Sequence, residues 1–154
     1  MSNTEGNESQ SARQRWMGAL ATAPSRRLAE LWDDLQEVPE YELLRAPESG
    51  LIMTRGRVGG AGAPFNIGEM TVTRCSVRLK DGTVGHAYLA GRDRKKAQQA
   101  AVLDAMLQQP DKAGDLRRKI IEPLLAERAD RDRCRAAKVA ATKVDFFTMV
   151  RGED

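Results

Sequence analysis

Histidine is almost missing from this chain: His86 is the one imidazole in 154 residues. One such side chain cannot serve a nucleophile–histidine–acid set and a metal centre at once, and it argues against a zinc site within the chain. Cysteine is equally thin. Cys75 and Cys134 show neither a disulfide framework nor metal-ligand spacing. Aromatic residues make up 5%, so a core has to rest on Leu, Val, Ile, Met and Ala. No apolar run approaches membrane-spanning length. The start, MSNTEGNESQ, lacks the apolar stretch of a signal peptide. A reducing cytoplasm is the expected location.

What is present suits one modest domain. Hydrophobic residues are 41% and charged residues 31%, with a formal net charge of +3 and a pI of about 9.1. That balance is mildly basic. It fits anionic small molecules or acidic protein partners as well as nucleic acid.

Apolar periodicity and punctuation predict an α+β fold. Residues 1–10 read as a disordered, polar N-terminus, and 11–154 as a single domain. From Ser11 a helix carries Ala12, Trp16, Ala19, Leu20 and Ala23. Past Pro24 a second helix places Leu28, Leu31, Trp32 and Leu35 on one stripe, and the two form an N-terminal helical hairpin. Residues 41–46 and 51–57 read as two strands joined by the turn Pro47-Glu48-Ser49-Gly50. Residues 69–80 and 83–90 form a further pair around Asp81-Gly82, which completes an antiparallel sheet of about four strands. Asp93 reads as the N-cap of a helix to Leu107, and Pro110 starts another with Leu116, Ile120, Ile121, Leu124 and Leu125 on its ridge. Beyond Pro123 that second C-terminal helix turns polar on all sides. The tail, with Phe146, Phe147 and Met149, is apolar again.

A two-residue turn at Asp81-Gly82 sets a register in which Leu79 faces Val84, Val77 faces His86 and Cys75 faces Tyr88, all six toward the core. Upstream, Met70 and Val72 fall out of phase with that set, which predicts a bulge or a strong twist near Thr73–Arg74.

Several residues stand out as candidates, each with a plainer alternative. The glycine-rich loop from Gly59 through Gly60 and Gly62 to Pro64 is no Walker A motif, because no Gly-Lys-Ser/Thr follows. It is a weak phosphate cradle, and a sheet corner or partner contact fits better. Arg55, Arg57, Arg74 and Arg78 lie on neighbouring expected strands and suit bidentate contact with phosphate or carboxylate. Otherwise they belong to a solvated face laced with Glu69 and Asp81. Arg92, Arg94, Lys95 and Lys96 crowd a helix start, where cations oppose the dipole and a bound anion would reverse the sign; a basic loop tip in water is the alternative. His86 and Cys75 read as structural. Phe146, Phe147 and Met149 either close this domain's own core or dock on another chain. No catalytic or metal-binding set is expected.

GAPFNIGEMTVTRCSVRL, with GHAYLAGRD behind it, RWMGALATA near the start and ATKVDFFTMVRGED at the end, resembles the G subunit of the bacterial carbon–phosphorus lyase core complex, the PhnG family. The resemblance runs over nearly the whole chain from about residue 12. It implies a cytoplasmic assembly with subunits H, I and J and the associated ATP-binding-cassette-like proteins K and L, devoted to phosphonate catabolism. With H, I and L the subunit would support attack of a phosphonate on the ribose C1 of ATP, releasing adenine. The J subunit would later cleave the carbon–phosphorus bond with an iron–sulfur cluster and S-adenosylmethionine. The resemblance implies no cofactor for this chain itself, a non-catalytic or accessory role, and no membrane or nucleic-acid partner.

Two other classes compete with that reading. A basic nucleic-acid-binding module would show salt-dependent RNA binding, but surface aromatics for base stacking are not expected on the sheet. A stand-alone nucleotide enzyme would turn over alone.

Overall fold

The computed structural model describes residues 3–142. In order, the elements are α1 (Asn3–Thr22), α2 (Ser25–Asp33), β1 (Tyr41–Arg57), β2 (Pro64–Leu79), β3 (Val84–Ala90), α3 (Arg94–Leu107), α4 (Pro110–Leu116), a π-helical turn (Arg117–Ile121) and α5 (Glu122–Ala141). The fold is α+β, with helices before and after one antiparallel sheet ordered β1-β2-β3.

Three strands replace the expected four because β1 is a single strand. Pro47 to Gly50 do not turn the chain. The β1–β2 register slips between Leu43 and Arg45 and again between Arg45 and Glu48, so the proline sits in a doubly bulged stretch of an edge strand. A proline has no N–H for the ladder, and an edge bulge is one of the few sheet positions that tolerate it. The bulge expected in β2 near Thr73–Arg74 therefore lies across the ladder, in β1. Helix α1 also starts earlier than Ser11: it runs from Asn3, within the stretch expected to be disordered, and no proline interrupts it before Pro24.

The β2–β3 register differs from the expected one by a single residue. Val77 pairs with Gly85, Cys75 with Ala87 and Ser76 with His86. Gly82, at φ 88°, adds a left-handed residue to the turn, and Leu79 N–H donates to Thr83 O at 2.9 Å. A type I turn followed by a left-handed glycine makes a three-residue loop rather than a two-residue one. The one-residue shift turns β3 over. Gly85, Ala87 and Leu89 face the core, while His86 and Tyr88 are exposed.

Small residues on that face admit α3. A Cβ at Gly85 would lie 2.7 Å from Ala105 N and 2.8 Å from its Cβ, and would strike Ala101 O. Helix α3 answers with Ala97, Ala100, Ala101 and Ala105, all buried, so helix and sheet meet nearly backbone to backbone. Asp93 caps α3 as expected, its carboxylate accepting from Lys96 N at 2.9 Å. Helices α1 and α2 lie against α3. Leu20, Leu28, Val77, Leu103, Leu107, Ile120 and Leu124 are fully buried among these layers. Each side chain of that size contributes about 1.5–3 kcal/mol on burial.

Pro123 lies just inside α5, where its ring would meet the carbonyl four residues back in a regular helix. The π-helical turn before it absorbs the conflict: Glu122 N–H donates to Arg117 O, five residues back.

Candidate functional site

One carboxylate organises the interior. Asp104 is fully buried on α3. Its Oδ1 accepts from Arg13 Nε at 3.2 Å and Trp16 Nε1 at 2.8 Å; its Oδ2 accepts from Arg13 Nη2 at 2.7 Å and from the His86 backbone N–H at 2.9 Å. Four donors leave the carboxylate no spare capacity for a substrate. It ties α1, α3 and β3 together, which is a structural duty. The only sequence signal for it is an acid inside the otherwise apolar run from Ala100 to Leu107.

The sheet divides into two parts. Strand β3 pairs with β2 from Val72 to Arg78 and no further. Beyond that point β1 and β2 continue alone, Leu51 pairing with Thr71 and Arg57 with Pro64, and they close through the Val58–Gly60 turn. This two-stranded arm reaches about 20 Å past the body, at 3.3 Å per residue. Its tip is the glycine-rich loop. Gly59 and Gly60 have φ of 59° and 80°, and Gly62 N–H donates to Val58 O at 2.9 Å. The loop is thus the end of a hairpin and not a sheet corner.

The arm carries apolar side chains into water. Leu51 is 63% exposed, Met53 55%, Ile67 64% and Phe65 46%. Ile67 is the extra residue of a bulge between Thr54 and Arg55, and its side chain lies over Gly56, which has no Cβ to oppose it. Together with Tyr88, Phe65 gives the sheet two exposed aromatics where none were expected.

The arginines split along the same line. In the body, Arg45 and Arg74 both reach Glu48 Oε1 at 2.7 Å, and Arg78 pairs with Glu42. The two hydrogen bonds, Arg45's first, hold the Glu48 carboxyl below its ordinary range. On the arm, Arg55 and Arg57 form no ion pair among the described residues, although Arg57 Nη1 donates to Gly62 O at 3.3 Å. The structure does not bring Arg55 and Arg74 together, since their ladder positions lie seven residues apart along β1, about 20 Å.

The basic loop before α3 lies at the foot of the arm. Gly91 N–H donates to Thr71 O at 2.9 Å, and Thr73 Oγ1 donates to Gly91 O at 2.7 Å. Arg92, Arg94 and Lys95 follow, all exposed. Lys96 is different. It is buried, its Nζ donates to Ala21 O at 2.8 Å, and burial pushes its pKa down against the pull of Asp93. Among the described residues three of the four cations form no ion pair, and the fourth closes the end of α1.

A hollow of about 550 Å³ lies between α1 and the π-helical turn, lined in part by Arg15, Trp16, Arg117, Ile121, Glu122 and Leu125. The Arg117 guanidinium stacks over Trp16 at 5.2 Å. Nothing in the spacing of these residues along the chain announces it.

His86 accepts or donates through Nδ1 to Ser76 Oγ at 2.9 Å on the exposed sheet face. Cys75 is buried, its thiol pKa raised by that burial, and Cys134 is exposed on α5. Among the described residues no helix is long and apolar enough to cross a membrane. Phe146, Phe147 and Met149 lie outside the described residues.

Residues 11–152 match the family described as phosphonate metabolism protein PhnG. The chain is also 46% identical, over 143 residues, to the alpha-D-ribose 1-methylphosphonate 5-triphosphate synthase subunit PhnG of Rhizobium meliloti (strain 1021). The match covers 92% of this chain and 90% of that relative.

Proposed function

Because the chain belongs to the PhnG family of phosphonate metabolism proteins, we propose that it is an accessory subunit of an α-D-ribose 1-methylphosphonate 5-triphosphate synthase, itself without catalytic groups. The near full-length match to a synthase subunit carries the reading. The structure supports it through what its polar groups already do. Asp104 is saturated by protein donors, and Arg74 is held by Glu48. His86 sits on an open sheet face rather than in a cleft.

On this reading the other subunits, H, I and J, with K and L, supply the reacting groups. The complex uses ATP, and the iron–sulfur cluster with S-adenosylmethionine belongs to J, in the cytoplasm. This chain's own contribution is contact. Arg55, Arg92, Arg94 and Lys95 face an acidic partner surface or a triphosphate, and Phe146, Phe147 and Met149 dock on a neighbouring subunit.

The test is adenine release from ATP and methylphosphonate by the reconstituted assembly. Omitting this chain should abolish it, and the chain alone should release none. Turnover by the purified single chain would overturn the accessory role.

A further inference from the structure

We propose that the β1–β2 arm, residues 51–70, is inserted into an apolar groove of a different subunit, one whose rim carries carboxylates. The inference rests on the reading that the chain is a synthase subunit and adds to it the surface and the chemistry of the partner.

The first argument is the backbone. A two-stranded ribbon is at best marginal in water; it needs a third strand or a helix against one face. Strand β3 stops opposite Val72, and α3 begins beside it at Arg94, so neither reaches the arm. Among the described residues no strand pairs with either outer edge of the ribbon beyond that point. In the body, the β1 edge is blunted by Pro47 and two bulges, devices that keep strands from pairing with strangers. On the arm the β1 edge from Gly50 to Thr54 runs without interruption.

The second argument is the side chains. Leu51 and Met53 are exposed on one face of the ribbon, and Phe65 and Ile67 on the other, the Gly56 side, so apolar surface of the kind that marks an interaction site is presented on both faces. Each would be buried by a groove and by nothing else in this chain that the structure describes.

The third argument is charge, and it selects the occupant. Arg45, Arg74 and Arg78 in the body each have a carboxylate partner. Arg55 and Arg57 on the arm, and Arg92, Arg94 and Lys95 at its foot, have none among the described residues. Those three also crowd the positive end of α3, where only a negative partner is favourable. Glu69 is the one acid on the arm. A second copy of this chain would set surplus positive charge against itself, whereas an acidic rim on another subunit neutralises it.

The experiment co-purifies the full chain with the other synthase subunits and measures capture by size and by titration. Two variants of the arm's shape and apolar surface, and one of its charge, are compared with wild type. In one, residues 52–70 are replaced by Asn-Gly, a two-residue turn that closes the ladder at the Leu51–Thr71 pair. In the other, Leu51→Ser and Ile67→Ser change exposed positions only, so the body keeps its melting temperature. Both should weaken capture about tenfold or more, the loss of one buried anchor. Arg55→Glu with Arg57→Glu should weaken it most at low salt. Wild-type capture by all variants overturns the arm as the docking element and leaves the subunit reading standing. Failure of the wild-type chain itself to be captured overturns that reading and the arm's partner with it. A free chain that is dimeric, and monomeric once the arm is removed, makes the occupant a second copy and also overturns the proposal.

Discussion

Two parts of this molecule leave the body, and they are built on opposite terms. The β1–β2 arm is apolar and short of ion pairs. The distal half of α5, from Arg128 onward, is exposed on every side and polar, and it laces itself with Arg128–Asp132 at 3.8 Å and Arg133–Asp130. A helix can project in this way because its N–H and C=O groups are satisfied within it, and i,i+3 and i,i+4 pairs add about 0.2–0.5 kcal/mol each. A two-stranded ribbon closes only one side of each strand. The helix is complete as it stands, and the arm is complete only against something else.

The contrast presupposes a body firm enough to carry both. The largest expected effect is therefore Asp104→Ala, which strands the Arg13 guanidinium, the Trp16 indole and the His86 amide at once. Arg13 keeps about a third of its side chain in water, so the loss should fall at the low end of the range for a broken buried pair, about 3 kcal/mol, and a thermal or denaturant melt of the free chain reads it. A variant that melted like wild type would mean that α1 is not anchored through this carboxylate.

A smaller change isolates α5. Ala136→Gly, in an exposed helix interior, should cost about 1 kcal/mol, and the cost should stay local. Far-ultraviolet circular dichroism should lose helix signal while the body's melting midpoint holds. If the midpoint falls as well, the helix is coupled to the body and is not self-sufficient.

The smallest effect lies at the foot of the arm. The Glu48 carboxyl has a lowered folded pKa because Arg45 and Arg74 bind it. A group of that kind stabilises the fold above its unfolded pKa, and the contribution fades as pH falls through the folded value. In Glu48→Gln stability near neutrality should be slightly lower and the acid side of the profile slightly flatter, the two proteins converging once the wild-type carboxyl is protonated. An identical acid limb would show the bridge to be fully screened by water.

Much of the body was legible in the sequence. Leu28, Leu31 and Trp32 announce α2, although the helix stops at Asp33 short of Leu35, and Asp93 announces α3, because caps and stripes depend on near neighbours. The sheet was read less well, and for definite reasons. Pro47-Glu48-Ser49-Gly50 has turn composition, but long-range pairing with β2 holds it extended. Asp81-Gly82 marked a turn correctly, yet one left-handed glycine lengthened the loop and turned β3 over. The two-residue register puts His86 and Tyr88 on the core side, whereas the α3 contact is made by Gly85 and Ala87 because they are small. At the candidate site, the sequence points to Arg55, Arg74, Arg92, Arg94 and Lys95 as anion or partner contacts; Arg74 is held by Glu48, and the other four form no ion pair among the described residues. The Asp104 cluster was not, because its members lie far apart along the chain.

That distance has a consequence in time. Arg13 and Trp16 are emitted early by a ribosome, and the carboxylate that fixes them follows 91 and 88 residues later. At about 5–20 residues per second, the first helix waits roughly 5–18 s for its anchor during synthesis. Throughout that interval Trp16 has no acceptor for its indole N–H except solvent or a chaperone. The N-terminal helix is thus made well before the residue that anchors it, and in a Trp32→Phe background the Trp16 fluorescence of a stalled nascent chain should change only after Asp104 has cleared the exit tunnel.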